Sequence, residues 1–204
     1  MTITLATAQA DLLSLLGNDS ALYPAATTAE ALRQALADLA QDGPHQSAIV
    51  TVPSTGATLS LAALTDLLCL TAVIYPYVAG IDWRTAPPVF WSLTDPATLL
   101  LQDGSWFTAG EKALLLYQRT HTVNGLDGAV TTTVPDNWKP TLLTAAAKHA
   151  TALRLRQLAE SPRARETAAY QTLRTLHDEY TAAYLRRISV LAQRTTPSWG
   201  AIGL

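Results

Sequence analysis

The stretch GEKALLLYQRTHTVNGLDGAVTTTVPDNW, residues 110–138, divides two textures of chain. Before it the sequence is Pro-rich, strand-like and acidic. After it the sequence is almost wholly helical and basic. Within it, KALLLYQRT reads as an apolar strand. A polar loop follows with two turn pairs, Asn124-Gly125 and Asp127-Gly128. A threonine run and a helix start at Pro135-Asp136 close the stretch. It reads as a joint between a sheet and a long helical arm, built on His121, Asn124, Gly125, Asp127, Gly128, Pro135, Asp136 and Trp138. His121 and Asp127 also have the types of a base and its orienter. A base needs a nucleophile or a metal, and spacing supplies neither. The turn pairs favour a structural loop, with a partner contact as the other reading.

Downstream, WKPTLLTAAAKHATALRLRQLAE reads as a helix that Asp136 or Asn137 caps, with Pro140 tolerated in its first turn. Its inward face is expected at Leu142, Leu143, Ala146, Ala150, Leu153 and Leu158, with small alanines permitting close helix contact. Ser161-Pro162 ends it. A final helix is expected over roughly 163–194, from the three- and four-residue recurrence of Leu173, Leu176, Tyr180, Tyr184, Ile188 and Leu191. It would be on the order of 48 Å long. That exceeds what a compact domain of this size needs, so part of it is expected at a subunit contact. The candidate interface is Leu173, Leu176, Tyr180, Tyr184, Arg186, Arg187, Ile188 and Trp199. PSWGAIGL, at 197–204, reads as a tail or a docking peptide.

Upstream, residues 5–16 read as a short helix stopped by Gly17-Asn18. Thr27 and Glu30, at capping-box spacing, open a second helix that ends before Asp42-Gly43-Pro44. From Ala48 the chain turns strand-like: AIVTVP, a turn or short helix near 60–66, a strand over 68–75, then VFWSL and TLLLQ. Pro76 implies an edge or a bulge. Tyr75, Tyr77, Trp83, Phe90, Trp91, Trp106, Phe107 and Tyr117 all fall in this middle region. They read as core and cross-strand packing, or as an exposed binding surface.

The expected fold class is thus α+β: a helical bundle with long C-terminal helices and a small, mostly antiparallel β-rich middle of four to six strands. The expected divisions are N-terminal helices (1–44), a β-rich domain (45–134), a C-terminal helical hairpin packing with the N-terminal helices (135–194) and a tail (195–204).

The hydrophobic content of 49% is ample for a core and argues against wholesale disorder. A single cysteine, Cys69, excludes an intrachain disulfide and reads as a small buried hydrophobe. MTITLATAQADLL lacks the basic region of a signal peptide, and no apolar run approaches a membrane span. The net charge of -2 hides a split. Residues 1–127 carry 11 acidic and 4 basic side chains; residues 128–204 carry 5 and 10. Such polarity suits partner recognition or assembly better than sequence-specific DNA reading. There is no zinc-finger spacing, HExxH, GxSxG or phosphate-loop motif, and His45, His149 and His177 fall at no ligand spacing. No catalytic, cofactor-binding or metal residue is assigned.

The succession TAGEKALLLYQRTHTVNGLDGAVTTTVPDNWKPTLLTAAAKHATAL, followed by TAAYQTLRTLHDEYTAAYLRRI, resembles structural proteins of tailed phages and prophages. It is similar to their head–tail adaptor, or connector, group. The opening DLLSLLGNDSALYPAATTAEALRQALADL resembles the helix, turn and helix that begin such proteins. The resemblance is one of pattern, without a catalytic signature. It implies a homo-oligomeric ring, commonly of twelve copies, below the portal protein. Double-stranded DNA would pass non-specifically through the lumen, with tail or nozzle proteins attached below. The implied location is the virion's head–tail junction, after assembly in the host cytoplasm. Asp136, Trp138, Leu142 and Ala146 match the helix start and packing face of that group; Tyr180 and Tyr184 match its long arm. The long aromatic middle and the tryptophan-bearing tail depart from the pattern. The rival readings are a small-molecule binder or enzyme using the His121 loop and aromatic middle, or a monomeric scaffold.

Overall fold

A computed structural model of the chain describes residues 3–64, 66–80, 89–102, 104–160 and 167–195. The fold is α+β, and the described residues form four α-helices and two antiparallel sheets of three strands each. The chain forms two compact units. One comprises Met1–Gly43 with Thr120–Gln193; the other is built on Pro44–Arg119. Residues 120–134, grouped with the β-rich region on sequence, therefore belong to the helical unit.

In the helical unit, α1 (Leu5–Leu15) starts from a reciprocal cap. Thr4 Oγ1 accepts from the Thr7 N–H, and Thr7 Oγ1 accepts from the Thr4 N–H at 2.9 Å. The helix stops where Gly17 and Asn18 turn left-handed and the Asn18 N–H reaches the Leu13 carbonyl at 2.7 Å. α2 (Ala25–Asp42) begins after Pro24 with no side-chain cap. The capping box expected at Thr27 and Glu30 is not formed. Both residues already lie inside the helix, and the Glu30 carboxylate is taken by Arg33 and Gln34. A 3-10 turn, Asp136–Trp138, leads into α3 (Lys139–Ala159), again without the expected Asp136 or Asn137 cap. Pro140 does lie in the first turn, where its missing N–H costs nothing.

Ala31, Leu32, Ala35 and Leu39 of α2 share a core with Leu142, Ala146 and Ala150 of α3. The small side chains let these two helices run close. Leu153 and Leu158, expected inward on α3, are only half-buried, because burial concentrates on its first three turns. The last helix, α4 (Ala168–Thr195), packs differently. Its backbone hardly approaches the other helices. Long side chains bridge instead: Tyr184, Ile188 and Leu191 are buried in the same core, and Tyr180 donates to the Leu15 carbonyl at 2.7 Å. The expected start of this helix near 163 lies outside the described residues.

In the second unit, one sheet has the order β1 (Gln46–Thr51), β6 (Lys112–Arg119), β3 (Leu67–Ile74). The other has the order β2 (Thr58–Ser60), β5 (Thr98–Leu101), β4 (Trp91–Asp95). Inward side chains of both, among them Leu59, Leu99, Val73 and Leu115, share one core with Phe107. β6 is central in its sheet and buried continuously from Ala113 to Tyr117. Alternate residues fill two clusters, since Leu114 and Leu116 meet Ile74 on the opposite face. That is why this strand reads as an unbroken apolar run.

β2 was not anticipated; its three residues are too short for periodicity to register. Cys69, expected to be buried, is exposed. Register shifts between Leu67 and Cys69 and between Leu70 and Ala72 break the alternation of β3, turning Leu68 and Cys69 outward together.

Candidate functional surface

The loop after β6 holds the residues that most invited a catalytic reading. Gly125, Asp127 and Gly128 all take positive φ, the left-handed geometry that Gly tolerates freely and Asp more readily than most residues. The Gly125 N–H closes on the Ala129 carbonyl at 2.8 Å, making a tight polar knot. Threonines fasten the knot to α1. The Thr132 hydroxyl donates to the Ile3 carbonyl and accepts from the Asn124 N–H, the latter at 2.9 Å. The Asn124 carbonyl in turn accepts from the Leu5 N–H at 2.8 Å. Asp127 lines one cavity with His121 and Arg33, and it forms a forked pair with Arg33 of α2, Nε to Oδ1 and Oδ2 at 2.8 and 2.9 Å. That guanidinium holds the Asp127 carboxyl below its ordinary range. His121 is buried edge-on against Trp138, with ring centroids 5.2 Å apart. The loop's polar groups thus serve packing and anchoring. Pro135 leads into the turn that sets Trp138 into the core.

A second polar constellation, not anticipated from sequence, joins α2, α3 and α4. Asp38 accepts from Lys148 Nζ and from His149 Nε2, the latter at 2.8 Å. The same ammonium lies 4.6 Å over the centre of the Tyr184 ring. The Tyr184 hydroxyl donates to Asp42 at 3.0 Å. His177 Nδ1 donates to the Lys148 carbonyl at 3.1 Å. Burial, and then the Asp42 charge, hold the Tyr184 hydroxyl far above its ordinary range. Burial also pushes His149 below its ordinary value despite the Asp38 hydrogen bond. The one available signal was Lys148-His149, a polar interruption in an alanine run; its carboxylate partner, Asp38, lies more than a hundred residues away.

Of the candidate interface residues, Leu173, Tyr184 and Ile188 are buried within the chain and Tyr180 half-buried. Leu176, Arg186 and Arg187 are exposed, and Trp199 lies outside the described residues. Leu185 and Val190 of α4 are exposed too. A groove of about 400 Å³ runs between α4 and the start of α3, floored by Pro140, Ala183, Val190 and Leu191 and rimmed by Arg186 and Arg187.

In the strand unit, Phe107 and Tyr117 are core, as packing predicts, while Phe90 and Trp106 are 64% and 62% exposed. They border a cavity of about 550 Å³ with Tyr75 and Pro76. Tyr75 is fixed there by Phe107, edge-on at 4.9 Å, and by the Thr108 N–H, which donates to its hydroxyl at 2.6 Å. Trp83 lies outside the described residues.

Among the described residues, no group of His, Cys, Asp and Glu is arranged to hold a metal ion. No described helix is long and apolar enough to cross a membrane. Neither a protein-family model nor a curated protein matches the chain.

Proposed function

We propose that this chain is a virion structural protein of a tailed phage or prophage, a head–tail adaptor. It would assemble as a homo-oligomeric ring, of about a dozen copies by the family resemblance, between the portal and the tail or nozzle proteins. DNA would cross its lumen without base-specific contact.

The observation that carries the proposal is α4. At 28 residues it runs about 42 Å, yet only one flank enters the core. Its other surface exposes apolar side chains on two separate flanks, Leu176 with Val190 and, well round the helix, Leu185. A ring needs two different surfaces on each subunit, because each copy meets one neighbour on either side. The charge split fits the same use, since acidic and basic regions of one chain can meet in successive copies. The sequence resemblance supplies the place at the head–tail junction. The 120–135 loop supports an architectural role over a catalytic one, because its hydrogen-bonding groups tie backbone to backbone.

Deleting the reading frame from the phage or prophage that encodes it tests the proposal. DNA-filled heads without attached tails are expected, with infectivity restored by the gene in trans. Normal yields of tailed, infectious particles would overturn it.

A further inference from the structure

We infer that free copies of this chain pair through the flank of α4 that borders the start of α3, antiparallel and about a two-fold axis at Ala183. Leu176, Ala183 and Val190 recur every seven residues and so lie along one face of the helix. Leu176 and Val190 are 38% and 47% exposed, and Ala183 between them is half-buried beside the groove along the start of α3. The pattern is self-complementary. Centred on Ala183, an antiparallel second copy sets its Val190 against Leu176 and its Leu176 against Val190. Alanine meets alanine at the crossing, where a larger side chain would force the helices apart.

Charge fixes the direction and the register. Glu179 and Arg186 are both exposed and share the same flank of this face. They stand seven residues apart, too far to pair within one helix, and the residues three and four away from each along that span are Ala182 and Ala183. In the antiparallel register Arg186 of the second copy stands one residue, about 1.5 Å, off the level of Glu179, and the reverse pair likewise, a gap that side chains of this length span. Two charge pairs then flank the apolar seam. A parallel pair would instead carry this flank on opposite sides of the seam in the two copies, so neither charge would meet a partner. A second copy is therefore the occupant that this surface fits.

The seam from Leu176 to Val190 spans only about 21 Å. Such a contact is small by the standards of stable interfaces, so the pair is weak and reversible. The inference goes beyond the adaptor proposal. A two-fold contact closes after two copies and does not propagate into a ring, so it describes the chain before assembly.

Sedimentation of the purified full-length chain over about 1–300 µM, a range chosen to bracket a weak interface, tests it. A reversible monomer–dimer equilibrium is expected. Glu179→Arg alone and Arg186→Glu alone bring like charges together and should each weaken pairing about tenfold. The double exchange, Glu179→Arg with Arg186→Glu, should restore it to within about threefold of the original. Ala183→Cys in a Cys69→Ala background should form an intersubunit disulfide across the axis under mild oxidation. A chain that stays monomeric throughout, or an assembly of any size whose affinity ignores both single exchanges, overturns the pairing. So does a dimer that the double exchange fails to rescue while circular dichroism shows the helices intact. None of these outcomes bears on the deletion phenotype, so the two proposals fail separately.

Discussion

Tyr184 donates its hydroxyl to Asp42 at 3.0 Å, tying the middle of α4 to the last turn of α2. Because the backbone of α4 stands off from its neighbours, such side-chain bridges carry its attachment. Tyr184→Phe keeps the buried ring and removes one hydrogen bond to a carboxylate, a loss of about 1.5–3 kcal/mol. Tyr184→Ala also empties a core position and should cost about 3–5 kcal/mol. Urea unfolding followed by circular dichroism measures both, and an unchanged midpoint for Tyr184→Phe would contradict this account of how α4 is held.

Stability should fall on mild acidification through His149. Its ordinary value is 6.5, and burial lowers the folded value, with Asp38 opposing and Lys148 and His177 assisting the shift. Between the folded value and 6.5 the unfolded chain binds more protons than the folded one. The histidine's contribution is therefore complete above about pH 6.5 and is lost as pH falls through the folded value. Thermal melts across this range should show the loss, and His149→Gln should flatten it.

Gly43 ends α2 at an ordinary φ of -67°, so its need is for space rather than for left-handed backbone. A Cβ there would stand 2.1 Å from the Leu39 carbonyl oxygen and 3.3 Å from the Trp138 ring. Gly43→Ala should therefore destabilise by about 1–3 kcal/mol, as overpacking does. Gly56→Ala, where a Cβ meets nothing within 4 Å, is the matched control and should be close to neutral in the same denaturation experiment.

Thr132→Val tests the loop. It is nearly isosteric, yet it deprives the Asn124 N–H and the Ile3 carbonyl of a shared partner. Two partly buried backbone groups left unsatisfied predict a loss of about 2–4 kcal/mol and faster amide exchange at Leu5 and Asn124. Exchange rates equal to the unmodified chain would show that the threonine does not anchor this knot.

Elements with strong periodicity were legible before the structure: the strand Lys112–Arg119, the helix opening at Leu5 and the long final helix all declare their type in residue spacing. So did the mixture of helices with a small antiparallel region. The caps misled, because Thr27 and Asp136 have the right chemistry but the wrong backbone position for a cap. Residues 120–134 followed a strand in sequence and were grouped with it, although their hydrogen bonds run to Ile3 and Leu5. Cys69 looked buried because a β-bulge cannot be read from hydropathy. The Asp38, Lys148, His149 and Tyr184 cluster stayed hidden, since only tertiary packing brings α2, α3 and α4 together. The partner of Asp127, Arg33, lies 94 residues away on α2 and left no trace in the spacing of the 121–128 loop.

The central claim is that the chain is a structural component of the head–tail junction, and cryo-electron microscopy of purified particles from its phage tests it most directly. The expected reconstruction shows a ring between portal and tail whose repeating density fits the four-helix unit and the paired three-stranded sheets. Complete, tailed particles whose junction holds no copy of the chain would contradict it.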